Sequence, residues 1–316
     1  MIEPTDFFWA GFLPAIVAAG ALAAVGRYAH KAHAAWLAGV TAGYLVGHWT
    51  LDALNIGWLA SVAKSFRPHE ARDWLPLAVL LAVAPEIVVR FHKRGSVLAW
   101  LLRLALCAVL PWWLLRGSAY LPLAVLPNAD FHTGAWSRGE AIGCIGGSAM
   151  ALLAVWLTVA GFAGDKSWPG LRSLLAIVVT LGGAATLAMS GSLAYGQLLG
   201  VLAATLAGCG LAARLLPLET GPEAASGPLV AASGSVLLLA YFFAELKLPN
   251  AIFLLLAMST AVGWLPGSGK LSGRVYALLR CVVCLSALTA AVSWAALDFA
   301  ASQAQTPSNP YLNFQP

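Results

Sequence analysis

Ten hydrophobic stretches, each about as long as a lipid bilayer is thick, fill almost all of this 316-residue sequence. A helix needs roughly 20 mostly apolar residues to cross the hydrocarbon core of a membrane. Only short polar segments separate the stretches, so the sequence predicts an all-α, polytopic transmembrane helical bundle with about ten spanning helices. The stretches lie at residues 7–25, 34–53, 74–91, 96–115, 141–163, 171–190, 193–213, 228–244, 249–265 and 275–298.

The composition leaves little room for a soluble domain. Hydrophobic residues make up 60% of the sequence and charged residues 10%, with a mean hydropathy of +0.81. Inside hydrocarbon, backbone N–H and C=O groups must be bonded within a helix or around a closed barrel. The stretches lack the alternation of barrel strands, so helices are expected. We predict one transmembrane domain over residues 1–302 and a disordered polar tail over residues 303–316.

The net charge of +5 is distributed between the loops in a way that indicates membrane topology rather than nucleic-acid binding. Lysine and arginine are enriched in the cytoplasmic loops of membrane proteins. With the loops numbered in chain order, we therefore predict that the odd-numbered loops are cytoplasmic and that both termini are not. Because the chain is compact and its loops are short, we predict a cell (inner) membrane. The odd-numbered loops hold Arg27, Lys31, Arg90, Lys93, Arg94, Lys166, Arg172, Arg214, Lys270 and Arg274, and the even-numbered loops hold Lys64, Arg67, Arg72, Arg116, Arg138 and Lys247.

The first long outer loop, residues 54–73, contains an amphipathic pattern. Leu59, Val62 and Phe66 recur near helical spacing, and Pro68 follows them. This pattern predicts a short helix lying at the membrane surface.

A short polar pattern occurs twice and predicts an internal repeat. Two stretches each contain a Leu-Leu-Arg sequence with a cysteine four residues after the arginine, at Arg103 with Cys107 and at Arg280 with Cys284. The predicted unit is four helices, within residues 1–116 and again within residues 192–302, with two helices between them. Parallel repeats of this kind form the halves of some transporters. The alternative is a chance alignment of apolar segments.

Charged residues inside the apolar stretches are the strongest indicators of function, since each costs about 2.5–3.5 kcal/mol near a helix centre. Glu86 and Arg103 lie at similar depth on adjoining antiparallel helices, so they are predicted to pair. The pair is either a structural bond that fixes helix rotation or a proton or anion site. Arg280 has no matching acid and is expected to extend to the inner surface.

A second polar group is expected near the outer face. His48 and Asp52 are four residues apart on one helix face, and Glu245 occupies the equivalent place in the repeat. They suit a proton relay or, with Asp130 and His132 of the second outer loop, a divalent-metal site. The alternative is that these acids simply contact water. No closely spaced ligand set occurs, so no metal and no cofactor is assigned.

Small residues spaced four positions apart predict close contacts between helices. The sequence leaves open whether the contacts lie within the chain or between two membrane proteins. The two faces are Gly39, Gly43 and Gly47 on the second stretch, and Gly139, Gly143 and Gly147 on the fifth.

Three classes of function follow from these features. The first is a transporter or permease that binds a small solute between the two four-helix units. The second is a non-catalytic membrane subunit or scaffold that binds a partner membrane protein or a second copy. The third is a membrane-embedded enzyme acting on a lipid-linked substrate at the outer face, although no catalytic motif is present. Its candidate groups are Asp52, Asp130, His132 and Glu140.

Overall fold

The computed structural model of the chain describes residues 4–29, 32–66, 68, 70–91, 97–121, 136–160, 169–216, 218, 220–263 and 272–305. Its regular structure in these segments is helical, which confirms the all-α class. The α-helices are α1 (Pro4–Ala29), α2 (Ala32–Ile56), α3 (Trp58–Phe66), α4 (Leu75–Leu81), α5 (Val83–Phe91), α6 (Val97–Leu115), α7 (Arg138–Ala160), α8 (Pro169–Met189), α9 (Leu193–Leu215), α10 (Ser226–Phe243), α11 (Leu248–Val262) and α12 (Gly273–Gln305). Single 3-10 turns, Ala71–Trp74 and Pro222–Ala225, precede α4 and α10.

Seven of the described helices are long and apolar enough to cross a membrane. They are α1, α6, α7, α8, α9, α10 and α12. A chain with this many spanning helices is an integral, multi-pass membrane protein. The predicted tail is described only as far as Gln305, where α12 ends, and residues 306–316 lie outside the described part.

The other three predicted stretches are helical, but none is both long enough and apolar enough to be identified as a span. α2 is long enough, but polar residues such as His48 and Asp52 lower its hydropathy. The stretch at residues 74–91 divides into α4 and α5 at Ala82, because Pro85 has no N–H to bond a carbonyl in the preceding turn. α11 has only 15 residues. The structure therefore supports fewer spans by length and composition than the ten predicted from sequence.

The glycine face of α2 packs closely against α1 and α9. A Cβ added at Gly43 would lie 2.7 Å from both Ala18 Cβ on α1 and Thr205 Cγ2 on α9. A Cβ at Gly39 would lie 2.7 Å from the Cys209 sulfur on α9. Only glycine lets the three helices approach to this distance.

The glycines of α7 have a different environment. A Cβ added at Gly139, Gly143 or Gly147 would meet no atom of the described chain within 4 Å. Ile142 and Met150 of the same helix are 74% and 65% exposed. This face of α7 therefore does not pack within the described part of the chain.

α10 is the central helix of the bundle, with most of its side chains buried. It is surrounded by α4, α7, α9 and α11, and two of its glycines allow close contacts. Gly227 lies against the Ala82 carbonyl at the α4–α5 junction, and Gly234 lies against Leu152 of α7. The core of the protein is therefore built around one small-residue helix.

Contacts between loop residues and the ends of helices identify the two ends of the bundle. One end contains a cavity, described below, and is called the cavity end. There the indole N–H of Trp36 donates to the Thr220 carbonyl at 2.8 Å. At the opposite, aromatic end, the Tyr120 hydroxyl donates to the Phe242 carbonyl at 3.0 Å, and Trp136 packs edge-on against Phe242. The seventh predicted loop, with Thr220, thus lies beside the start of α2 at the cavity end, and the fourth, with Tyr120, lies beside the end of α10 at the aromatic end.

The short helix α3 folds back along the aromatic end of α2. The Ser61 hydroxyl donates to the Trp49 carbonyl at 3.1 Å, and the Trp49 indole donates to Ser65 at 2.9 Å. Leu59 and Phe66 are 90% and 69% exposed. A helix with its polar side inward and its apolar side exposed suits the membrane surface, as the pattern in residues 54–73 predicts.

Candidate functional site

Glu86 and Arg103 form a buried ion pair between α5 and α6. One guanidinium nitrogen of Arg103 lies 3.1 Å from each carboxylate oxygen of Glu86. The indole N–H of Trp156 on α7 donates to the same carboxylate at 2.9 Å. Both charged side chains are about one-tenth exposed. The carboxylate is thus bonded to two neighbouring helices.

The local structure of α5 also favours a negative charge at this position. Glu86 lies in the first turn of α5, which begins after the break at Ala82. The unpaired N–H groups of a helix N-terminus carry partial positive charge and stabilise a carboxylate there. The break in the stretch at residues 74–91 therefore adds a favourable interaction with the helix N-terminus to the Glu86–Arg103 pair.

A second buried ion pair joins the start of α8 to the turn before α10. The guanidinium of Arg172 lies 3.0 Å from Oε1 of Glu223, and the two side chains are 2% and 8% exposed. The same carboxylate oxygen accepts the backbone N–H of Gly221 at 2.9 Å. These bonds fix the turn that leads into α10.

A cavity of about 1000 Å³ lies between α2 and α5 at the cavity end. α2 packs against α4 nearer the aromatic end, which closes the cavity on that side. Most of the wall is apolar, and both ion pairs contribute to it. The lining includes Leu37, Ala38, Thr41, Leu45, Leu80, Ile87, Glu86, Arg103, Glu223 and Ser226.

Four polar atoms of this wall are buried without a hydrogen-bond partner in the described chain: Ser226 Oγ, Thr41 Oγ1, Arg103 Nε and Glu223 Oε2. Ser226 is 1% exposed and Arg103 is 7% exposed. Buried polar groups are nearly always bonded to protein, water or ligand, and leaving one unsatisfied costs about 1–3 kcal/mol. Each of the four atoms is covered by neighbouring protein atoms, so an occupant of the cavity can bond to it only after a side chain rotates.

Arg280 on α12 is the predicted counterpart of Arg103 on α6. It donates to the Gly263 carbonyl at 2.9 Å and to the Tyr276 hydroxyl at 3.1 Å. Both arginines thus bond to a residue 17 positions earlier in the chain. Arg280 is only 2% exposed, so the expectation that it extends to the surface is wrong. A carbonyl left free where α11 ends replaces the missing acid.

His48 and Asp52 share the face of α2 opposite its glycines, with Nε2 and Oδ2 3.8 Å apart. The two residues are 2% and 8% exposed, and neither imidazole nitrogen has a hydrogen bond within the described chain. Lys64 and Asp73, 2.9 Å apart, form an ion pair nearby. Glu245 is exposed after α10 with φ of 55°, and no described contact joins it to His48 or Asp52.

The groups expected at the outer face do not assemble a metal site in the described chain. Asp130 and His132 lie outside the described residues. Within those residues, no group of three or more His, Cys, Asp and Glu side chains could hold a metal ion. Glu140 accepts the backbone N–H of Ser137 at 2.8 Å, and so caps the start of α7.

Sequence reasoning did not connect several cavity residues. Arg172 of α8 and Glu223 before α10 form an ion pair, but no local sequence pattern links residues so far apart along the chain. Thr41 offered a usable signal, because it lies seven positions before His48 and therefore on the same helix face. Ser226 gave none, since a serine at a helix start is most often a simple cap.

No protein-family model, no curated protein and no solved structure matches this chain.

Proposed function

We propose that the protein carries a small solute across the membrane and that the cavity between α2 and α5 binds this solute. The observation that carries the proposal is the cavity of about 1000 Å³ with unpartnered polar atoms on apolar walls. Small-molecule sites are typically concave, mostly apolar and about 300–1,000 Å³ in volume. A binding site closed at one end and lined by buried charges suits a carrier that exposes its solute to one side at a time.

We infer ten membrane crossings, which add α2, the α4–α5 pair and α11 to the seven long apolar helices. Support comes from the separation of the loops into two ends, as expected when successive stretches run in opposite directions. With the charge distribution of the loops, the cavity end faces the cytoplasm and both termini face the other side of a cell (inner) membrane.

The four-helix repeat is supported by the equivalent contacts of its two arginines. α7 lies between these contacts, since Trp156 bonds to Glu86 and the Thr158 carbonyl lies against Gly263. A helix that contacts both units is placed to transmit movement of one unit to the other. Two parallel units that rock about a shared site are one known arrangement for alternating access.

The proposal is tested by unbiased transport into vesicles. Proteoliposomes are incubated with a cell extract that holds water-soluble and amphiphilic compounds, washed with albumin, and analysed by mass spectrometry. The parent protein should retain at least one compound that empty vesicles do not. Ala38→Trp, which fills the cavity, should abolish retention, whereas Leu104→Trp at a 49% exposed position on α6 should not. Equal retention by the parent, Ala38→Trp and empty vesicles would overturn the proposal.

A membrane scaffold is the second candidate, favoured by the open glycine face of α7. Small residues at four-residue spacing let membrane helices approach closely, and this face has no partner in the described chain. If it joins two copies, Gly143→Ile should convert a dimer to a monomer in light scattering of the detergent-solubilised protein. If the parent protein and the Gly143→Ile variant are both monomeric, the protein is not a scaffold that acts by self-association.

A further inference from the structure

We propose that the solute is an amphiphile with an apolar chain and a net-neutral, zwitterionic head, and that it enters the cavity from the lipid between α2 and α5. This inference rests on the proposed function, because it names the class of solute that the cavity would carry. It depends on three properties of the cavity: its apolar wall, the balance of its charges and its position between two separated helices.

The wall selects for an occupant with substantial apolar surface. α2 contributes Leu37, Ala38 and Leu45, while α4 and α5 contribute Leu80 and Ile87. Each Å² of such surface removed from water is worth about 25 cal/mol. A small hydrophilic solute would leave these side chains in contact with water, whereas an acyl or isoprenoid chain would cover them.

The charges select for a head without net charge. Arg103 is neutralised by Glu86, and Glu223 is neutralised by Arg172, so the two pairs add no net charge to the wall. His33, an exposed residue in the first turn of α2, is the other titratable side chain of the lining. A head with an excess charge would enter a low-dielectric site without a counter-ion, which is unfavourable. The unpartnered atoms comprise the Arg103 Nε donor, the Glu223 Oε2 acceptor and two hydroxyls. Once small side-chain rotations uncover these atoms, a head that carries both an anionic acceptor and a cationic N–H donor can bond to all of them.

The position of the cavity gives it contact with lipid. It separates α2 from α5, which do not pack against each other along their length. Three apolar lining residues of α4 and α5 are exposed, with Leu80 and Ile87 each at 42% and Val89 at 36%, and part of this surface faces the cavity itself. Leu81 of α4, which does not line the cavity, is also 39% exposed. In a membrane protein, exposed apolar side chains face acyl chains, so a lipid-like solute can reach the cavity without passing through water.

Photo-crosslinking in nanodiscs tests the inference. The probe is a lysophosphatidylethanolamine with a diazirine in its acyl chain, and labelled peptides are mapped by mass spectrometry. We expect labelling of residues 34–45 and 83–89 that unlabelled probe displaces. Matched diazirine probes with a lysophosphatidic acid head or a sphingosine head should label these peptides at least about fivefold less.

Three variants locate the binding. Ala38→Trp should reduce labelling of the two peptides about tenfold, and Leu104→Trp should leave it unchanged. Ser226→Ala alters only one hydroxyl, so it should fold normally and weaken probe affinity about two- to tenfold, the range for one hydrogen bond. Equal labelling of all lipid-facing helices, or labelling that Ala38→Trp does not change, would overturn the proposal that the solute is an amphiphile. If proteoliposomes in the vesicle assay then still retain a water-soluble compound, and Ala38→Trp abolishes this retention, the carrier function is supported and only the proposed class of solute is wrong.

Discussion

Glu86 is bonded to Arg103 and Trp156, and these bonds explain how a carboxylate persists in an apolar part of the chain. Removing a charged group from water carries a penalty of several kcal/mol, which attraction to a close counter-ion and added hydrogen bonds can offset. Because the compensation is mutual, removal of one partner is more damaging than removal of both. The pair therefore stabilises this helix packing whether or not it also contacts a solute.

Glu86→Gln should lower the free energy of unfolding by about 3–5 kcal/mol, because it leaves the Arg103 charge buried without its partner. The double variant Glu86→Gln/Arg103→Gln should lose less than the sum of the two single variants, since no unpaired charge remains. Chemical unfolding in mixed micelles measures both effects. Glu245→Gln, at an exposed position outside these contacts, serves as the control and should stay within about 0.5 kcal/mol of the parent. Purely additive losses would contradict a coupled pair.

At the scale of single helices, α2 combines two opposite faces. Its glycine face allows contact with α1 and α9, and its other face supplies the cavity wall through Thr41 and Leu45 and then continues to His48. A helix held rigidly on one side can present polar groups at fixed positions on the other. The same polar residues lower its hydropathy, which is why length and composition alone do not identify α2 as a span.

Gly43→Ala should destabilise the bundle by about 1–3 kcal/mol, because the new methyl group would overlap Ala18 and Thr205 and force the helices apart. Gly20→Ala is the matched control, since a Cβ there meets nothing within 4 Å in the described chain. It should be neutral or slightly stabilising, as alanine is a better helix former than glycine. Thermal unfolding of the two variants in the same detergent compares them. Equal stability would show that α2 is not packed as the structure describes.

At the scale of the whole molecule, the number of crossings determines which surfaces share a side of the membrane. An even number places both termini together, whereas crossings by the seven long apolar helices alone would place them on opposite sides. Helices α2, α4, α5 and α11 therefore decide the topology, although each is less apolar, shorter or interrupted.

Labelling of single cysteines with a membrane-impermeant maleimide should reveal ten crossings. In a background without the five native cysteines, Leu59→Cys and Ser302→Cys should react from outside the cell. Arg27→Cys and Ser272→Cys should react only in inside-out vesicles. If only seven helices cross, Ser272 and Ser302 exchange sides, because α12 then runs in the opposite direction. Exchange of Ser272 and Ser302 would refute the ten-span topology, and labelling of Arg27→Cys from outside the cell would refute the cytoplasmic position of the cavity.

The sequence by itself determined the helical class and the membrane environment, because long apolar stretches can satisfy their backbone only as helices in hydrocarbon. It also predicts that Arg103 and Arg280 are equivalent, because a short polar pattern recurs in two apolar stretches. It did not pair Arg172 with Glu223, place Arg280 on the Gly263 carbonyl or show that the α7 glycines face outward. Those features depend on how the helices are rotated and spaced. Only the tertiary packing shows that α2 and α5 separate to leave a cavity. The same apolar sequence pattern occurs on a helix face that contacts lipid, protein or a bound solute, so the sequence does not distinguish them.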